Sequence, residues 1–115
     1  MRDSRERVLD MLEAIAAIER HSGCERKSFE ENELLQGWFV RHLQIIGEAA
    51  QALPDEIRVL APDVPWHKII GMRNILVHGY FEIDADVVWG AATRDAPALK
   101  PALERLLTEI GRRRR

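Results

Sequence analysis

Apolar residues recur every three or four positions along most of this chain, and no stretch shows the strict alternation of a half-buried strand. The opening segment "SRERVLDMLEAIAAIE" places Val8, Leu12, Ile15 and Ile18 at that spacing, which predicts a helix over residues 4–19. A helix with one apolar face must bury that face against another element. The sequence therefore predicts an all-α fold.

Proline, glycine and capping residues divide the rest of the pattern. The box Ser28-Phe29-Glu30-Glu31 predicts the start of a second helix, which Pro54 ends near Leu53. The apolar stripe of this helix consists of Leu35, Trp38, Phe39, His42, Ile45, Ile46 and Ala49. A short helix over 54–61 and a helix over 65–79 follow.

The last predicted helix runs over 84–111, where Pro97 and Pro101 imply a kink or a break. Short connections favour antiparallel neighbours. We therefore expect an antiparallel bundle of four longer helices and one short helix. It would form a single domain over residues 1–111, followed by a basic tail, Arg112–Arg115.

Composition narrows the class of protein further. The 115 residues suit one domain, and a net charge of -2 argues against general electrostatic binding of nucleic acid, although a small phosphate site stays possible. The single Cys24 cannot form an internal disulfide, and the charged N-terminus resembles neither a signal peptide nor a membrane span. We expect a cytoplasmic protein. His21 and Cys24 would supply only two zinc ligands, so we predict a loop there, with no metal site and no cofactor.

The stretch "GMRNILVHGYF", residues 71–81, carries the candidate chemistry. On a regular helix Arg73 and Tyr80 share a face and Asn74 and His78 share another, while His78 lies about 140° from Arg73. One straight helix cannot aim all of these groups at one point. Either the helix unwinds after His78, or a symmetric dimer brings two copies together.

A structural interpretation of the same stretch stays open. Its apolar residues, Trp66, Ile69, Ile70, Leu76 and Val77, predict a helix that faces the core whatever else it does. His78 could then be a hydrogen-bonded structural residue, and Arg73 could pair with Glu48. Gly47 and Gly71 fall inside predicted helices, where each costs about 1 kcal/mol relative to alanine, so we expect close helix–helix approach at both.

The motif Arg73-x4-His78-x-Tyr80, inside "PWHKIIGMRNILVHGYF" and flanked by "IIGEAA" and "IDADVVW", resembles the HepT-like (DUF86) branch of the HEPN superfamily. The resemblance covers nearly the whole chain. It implies a helical bundle that forms a symmetric homodimer and acts as a metal-independent endoribonuclease, with tRNA as a plausible substrate. Such proteins are typically toxins of type VII toxin–antitoxin pairs. The cognate antitoxin, a minimal nucleotidyltransferase, silences them by transferring AMP to the motif tyrosine.

Carried over by position, the resemblance implies Arg73 and His78 as the catalytic pair, Asn74 as the supporting polar residue beside the arginine, and Tyr80 as the AMP acceptor. For Glu48 two interpretations stay open: a supporting residue that orients Arg73 or His78 from the neighbouring helix, or an ordinary exposed carboxylate. Histidine suits proton transfer near neutral pH, and the arginine fork suits a phosphate. Two alternatives remain: a non-catalytic HEPN module that binds or regulates a nucleotidyltransferase, and a purely structural helical dimer.

Two features outside the motif also carry predictions. His42 stands where many relatives have asparagine; we interpret it as a residue of the core or the dimer interface, with a second histidine near the site as the alternative. The tail Arg112–Arg115 is interpreted as solvated, with attraction of RNA as the alternative.

Overall fold

The computed structural model describes residues 2–78 and 84–113, and within these ranges it contains helices and turns but no strands. The all-α prediction is confirmed. The helices are α1 (Ser4–Glu19), α2 (Arg26–Glu30), α3 (Glu33–Ala52), α4 (Asp55–Arg58), α5 (Trp66–His78), α6 (Ala85–Gly90), α7 (Ala96–Ala98) and α8 (Lys100–Arg113). In the described part of the chain, none of them is long and apolar enough to span a membrane.

Helix α3 is the centre of the bundle, with α1 packed on one side and α5 on another. The Trp38 indole N–H of α3 donates to the Ala17 carbonyl of α1 over 2.9 Å. Helix α8 covers α1, and the Lys100 ammonium contacts the Glu19 carboxylate at 3.2 Å. The largest fully buried side chains are Phe29, Phe39, Met11, Ile15, Ile18, Leu53, Leu76, Leu103, Leu106, Val8 and Val88. They form one core shared by all the longer helices.

The predicted second helix over 28–53 is wrong at its start. Helix α2 ends at Glu30, and α3 begins with Asn32 as its N-cap, whose Oδ1 accepts from the Leu35 N–H at 3.0 Å. Ser28 lies inside α2 and caps nothing. The break allows Phe29 to turn into the core, where its ring stacks on Phe39 with centroids 5.4 Å apart. Burial of this aromatic ring outweighs the local capping signal.

The predicted break in the last helix is confirmed. Helix α6 leads into a π-helical segment, Ala91–Asp95, and then into the single turn of α7, before α8 begins at Lys100. The wider π turn suits a place where prolines prevent regular helical hydrogen bonding. Helix α8 includes Arg112 and Arg113, two residues beyond the predicted end of the helix, and both side chains are exposed. Arg114 and Arg115 lie outside the described residues.

His42 is a core residue of α3, as one of the two interpretations predicted. Its side chain is 8% exposed, and its Nδ1 lies 2.8 Å from the Trp38 carbonyl oxygen, which one ring N–H can satisfy. The ring also packs against the Trp38 indole with centroids 4.3 Å apart. A buried imidazole held by its own helix is a structural residue within this chain.

Candidate active site

The site is built where α5 crosses α3 at Gly47. A Cβ atom on Gly47 would overlap Arg73 Cβ and would lie 2.8 Å from its Cγ and 3.3 Å from its Cα. Only glycine therefore permits this separation of the two helices, and the close approach predicted at Gly47 is confirmed. The same prediction for Gly71 is wrong, because among the described residues no atom of a neighbouring helix lies within 4 Å of the position that its Cβ would take.

The Arg73 side chain is fixed near its Cβ atom, whereas its guanidinium group stays accessible. The stem of this half-buried side chain lies against Gly47, and its Nη1 donates to the Asn74 Oδ1 over 3.1 Å. Its Nε is buried and has no hydrogen-bond partner among the described residues. Within residues 2–78 and 84–113 no carboxylate pairs with this guanidinium. Arg73 therefore keeps several N–H donors for an anion that approaches from outside.

His78 lies at the end of α5 and is exposed to solvent. Because α5 is helical through His78, the angle of about 140° between it and Arg73 holds in the folded chain. Asn74, also exposed, lies about 40° from His78 and so shares its side of the helix. The backbone of one α5 therefore directs the Arg73 and His78 side chains to different sides of the helix at their bases. Tyr80, the predicted AMP acceptor, lies outside the described residues.

Glu48 follows Gly47 on α3, and its side chain is exposed. It forms no hydrogen bond or ion pair with Arg73 or with any other residue in the part of the chain that the structure describes. The pairing considered from the sequence is absent here. A supporting role for Glu48 stays a prediction, since an exposed carboxylate at this point can still act on a bound ligand.

One polar contact at the site was not predicted from the sequence. The half-buried Gln44 of α3 donates from its Nε2 to the Leu76 carbonyl of α5 over 3.3 Å. Gln44 precedes Gly47 by three residues, and Leu76 follows Arg73 by three residues, so the two helices run antiparallel. Because Gln44 lies three residues before Gly47 on α3, knowing that Gly47 faces α5 would have been enough to predict that Gln44 faces α5 as well.

A groove of about 610 Å³ lies on the other flank of α5 and reaches the π-helical segment. Its walls are mainly apolar and include Leu43, Ile46, Met72, Ile75 and Leu99. Ile75 is 57% exposed, an unusual position for a large apolar side chain beside a hydrophobic groove. Neither Arg73 nor His78 lines this groove. No cluster of three or more potential metal-ligating side chains occurs in residues 2–78 and 84–113.

A bundle whose central helix crossing presents the Arg-x4-His motif is the architecture expected of a HEPN-type domain. The model of the family "Ribonuclease HepT-like" matches residues 11–106, and the chain belongs to that HepT-like family.

Named relatives match over most of their own length. "Putative RNase MJ1380" from Methanocaldococcus jannaschii is 36% identical over 104 residues, which cover 90% of this chain and 95% of the relative. "Putative RNase TTE0752" from Caldanaerobacter subterraneus subsp. tengcongensis is 38% identical over 78% of this chain and 80% of the relative. "Probable ribonuclease HepT" from Thermococcus cleftensis is 34% identical over 91% of this chain and 96% of the relative. No solved structure shows a significant match.

Proposed function

We propose that this protein is a metal-independent endoribonuclease in which Arg73 binds the scissile phosphate and His78 transfers protons. The observation that carries the proposal is the state of Arg73: its stem is fixed against Gly47, yet its guanidinium pairs with no carboxylate among the described residues. Its outer Nη groups can therefore donate hydrogen bonds to a phosphate oxygen. Family membership and the names of the relatives supply the reaction class.

The reaction follows from the chemistry of RNA. A base removes the proton from a 2′-OH, whose oxygen attacks the adjacent phosphorus, and the bond from phosphorus to the 5′ oxygen breaks. An acid protonates that leaving oxygen, so the products carry a 2′,3′-cyclic phosphate and a 5′-OH. Arg73 would stabilise the extra negative charge of the pentavalent transition state. His78 would act as general base or general acid, a role that typically contributes about 10²–10⁴-fold in rate.

We place the complete site between two copies of the chain. Arg73 and His78 of one α5 point in different directions, whereas a two-fold axis near the outer side of α5 would present His78 from both subunits to one cleft. That arrangement would supply both the acid and the base. The exposed Ile75 and the adjoining apolar groove lie on the same helix and offer surface for such an interface.

Regulation would act through Tyr80. A cognate minimal nucleotidyltransferase would transfer AMP to its hydroxyl, adding a bulky group with negative charge two residues after His78. That group would occupy the phosphate-binding cleft and compete for Arg73. The protein would then be the toxin of a toxin–antitoxin pair, with RNA, plausibly tRNA, as substrate.

The second candidate is a non-catalytic module that binds or regulates its nucleotidyltransferase. One observation favours it: the regular α5 backbone directs the two catalytic candidates to different sides of the helix at their bases. A protein that never aligns them could still use the free Arg73 guanidinium to hold a nucleotide phosphate.

Cleavage of purified total tRNA in EDTA, with wild type and His78→Ala compared side by side, tests the proposal. We expect wild type to produce 2′,3′-cyclic phosphate ends and the variant to lose at least about 100-fold in rate. His67→Ala is a matched control, because His67 is an exposed histidine in the first turn of the same helix. Equal activity in wild type and His78→Ala would assign the cleavage to another site. No activity in unmodified wild type would favour the binding module.

A further inference from the structure

We propose that Gln44 is a positioning residue for His78, which it would hold in place by anchoring the last turn of α5 to α3. The inference rests on the proposed ribonuclease function and adds a residue that the motif does not contain. Its evidence is the hydrogen bond from the Gln44 side-chain amide to the Leu76 carbonyl, two residues before His78.

A hydrogen bond between two helices fixes their relative position because it requires a narrow range of distance and angle. The Leu76 side chain is 1% exposed and fixes one face of the last turn of α5 in the core. Val77 and His78 on its other faces are exposed and receive no comparable packing. The Gln44 amide is the side chain that ties this turn to a neighbouring helix through a polar contact.

Helix α3 thus fixes the two catalytic candidates by two different contacts one turn apart. Gly47 sets how closely Arg73 approaches α3, and Gln44 sets where the His78 end of α5 lies along α3. Proton transfer requires the histidine nitrogen within hydrogen-bond reach of the reacting oxygen, and a displacement of about 1 Å can lower a rate by about 100-fold. Loss of Gln44 should therefore affect the chemical step more than RNA binding.

The test replaces Gln44 with Leu, which is similar in volume and lacks the amide, and compares it with Gln51→Leu. Gln51 lies on the same helix, seven residues later and therefore on nearly the same face, and its side chain forms no hydrogen bond within the described residues. We expect kcat to fall about 10-fold in Gln44→Leu with KM changed less than about twofold, and neither to change in Gln51→Leu. Gln44→Lys, which restores an N–H donor of similar reach, should recover part of kcat.

A spectroscopic readout on the same variants separates positioning from general destabilisation. In two-dimensional NMR spectra we expect Gln44→Leu to shift and broaden the His78 ring signals while those of His67, at the start of α5, stay unchanged. Unchanged His78 signals and an unchanged kcat would overturn the proposal, and so would equal changes at both histidines, which indicate loosening of the whole helix. If wild type cleaves no RNA, the ribonuclease function fails, and the NMR comparison alone decides whether Gln44 positions His78.

Discussion

The two sides of α5 differ in how tightly the fold controls them. On the inner side, Arg73 lies against Gly47 at a separation that no larger residue would permit, and Leu76 is buried. On the outer side, Gly71 faces open space and His78 is exposed. The fold therefore fixes the phosphate-binding candidate by packing, whereas it leaves the proton-transfer candidate at a surface. Under the proposed function, a second copy on the outer side would complete the site.

The largest effect is expected from Arg73→Lys, which tests the inner side. Lysine keeps the charge and an aliphatic stem that fits against Gly47, but it lacks the fork that donates two parallel hydrogen bonds to a phosphate. We expect kcat/KM for RNA cleavage to fall about 100-fold with little change in folding stability, measured by cleavage kinetics and urea unfolding. Arg41→Lys, at an exposed position of α3, is the control and should leave both unchanged. Full activity in Arg73→Lys would show that charge alone suffices.

A pair of glycine substitutions compares the two sides of α5 directly. Gly47→Ala places a methyl group against Arg73, and the overpacking should destabilise the fold by about 1–3 kcal/mol, reduced by the better helix propensity of alanine. Gly71→Ala meets open space and should stabilise it by about 0.5–1 kcal/mol. Urea unfolding at one protein concentration gives both values, since dimerisation would make stability depend on concentration. If both substitutions raised the free energy of unfolding, or both lowered it, the crossing of α3 and α5 at Gly47 would be contradicted.

The fold could be predicted from the sequence to the extent that it depends on local periodicity. The apolar spacing in α1, and Pro97 and Pro101 around the start of α8, identified those elements because they act within a few residues. The break between α2 and α3 was missed because it follows from burial of Phe29 against Phe39, ten residues further along the chain. A tertiary contact of this kind can override a capping signal worth about 1 kcal/mol.

The same limit applies to the candidate site. Arg73 and His78 could be named from their spacing, and their angular separation could be calculated from helix geometry. Two glycines looked equivalent in sequence, yet only Gly47 lies at a crossing, because which face of a helix meets a neighbour depends on the assembled bundle. Gln44 was missed for the same reason: its partner is a backbone carbonyl 32 residues away.

A smaller effect is expected from Asn74→Ala, which removes the only side chain within residues 2–78 and 84–113 that accepts a hydrogen bond from Arg73. Because the contact is exposed, we expect its loss to weaken binding of the transition state by roughly 1 kcal/mol. The value of kcat/KM should then fall about fivefold. Asn74→Asp should lower kcat/KM further than Asn74→Ala does, because a carboxylate would form an ion pair with Arg73 and compete with the phosphate. An Asp variant more active than the Ala variant would mean that Asn74 acts elsewhere.

The smallest effect, a factor of two, decides whether the outer side of α5 is completed by a second copy. If each cleft needs His78 from both subunits, a dimer of one wild-type and one His78→Ala chain is inactive, and activity varies with the square of the wild-type fraction. An equal mixture, refolded together so that subunits exchange, should then retain about a quarter of the wild-type activity, whereas independent sites would retain about half. Mixing with His67→Ala instead should leave activity unchanged at every ratio. A linear dependence on the wild-type fraction would show that each cleft needs His78 from one subunit only, so another group would have to supply the second proton transfer.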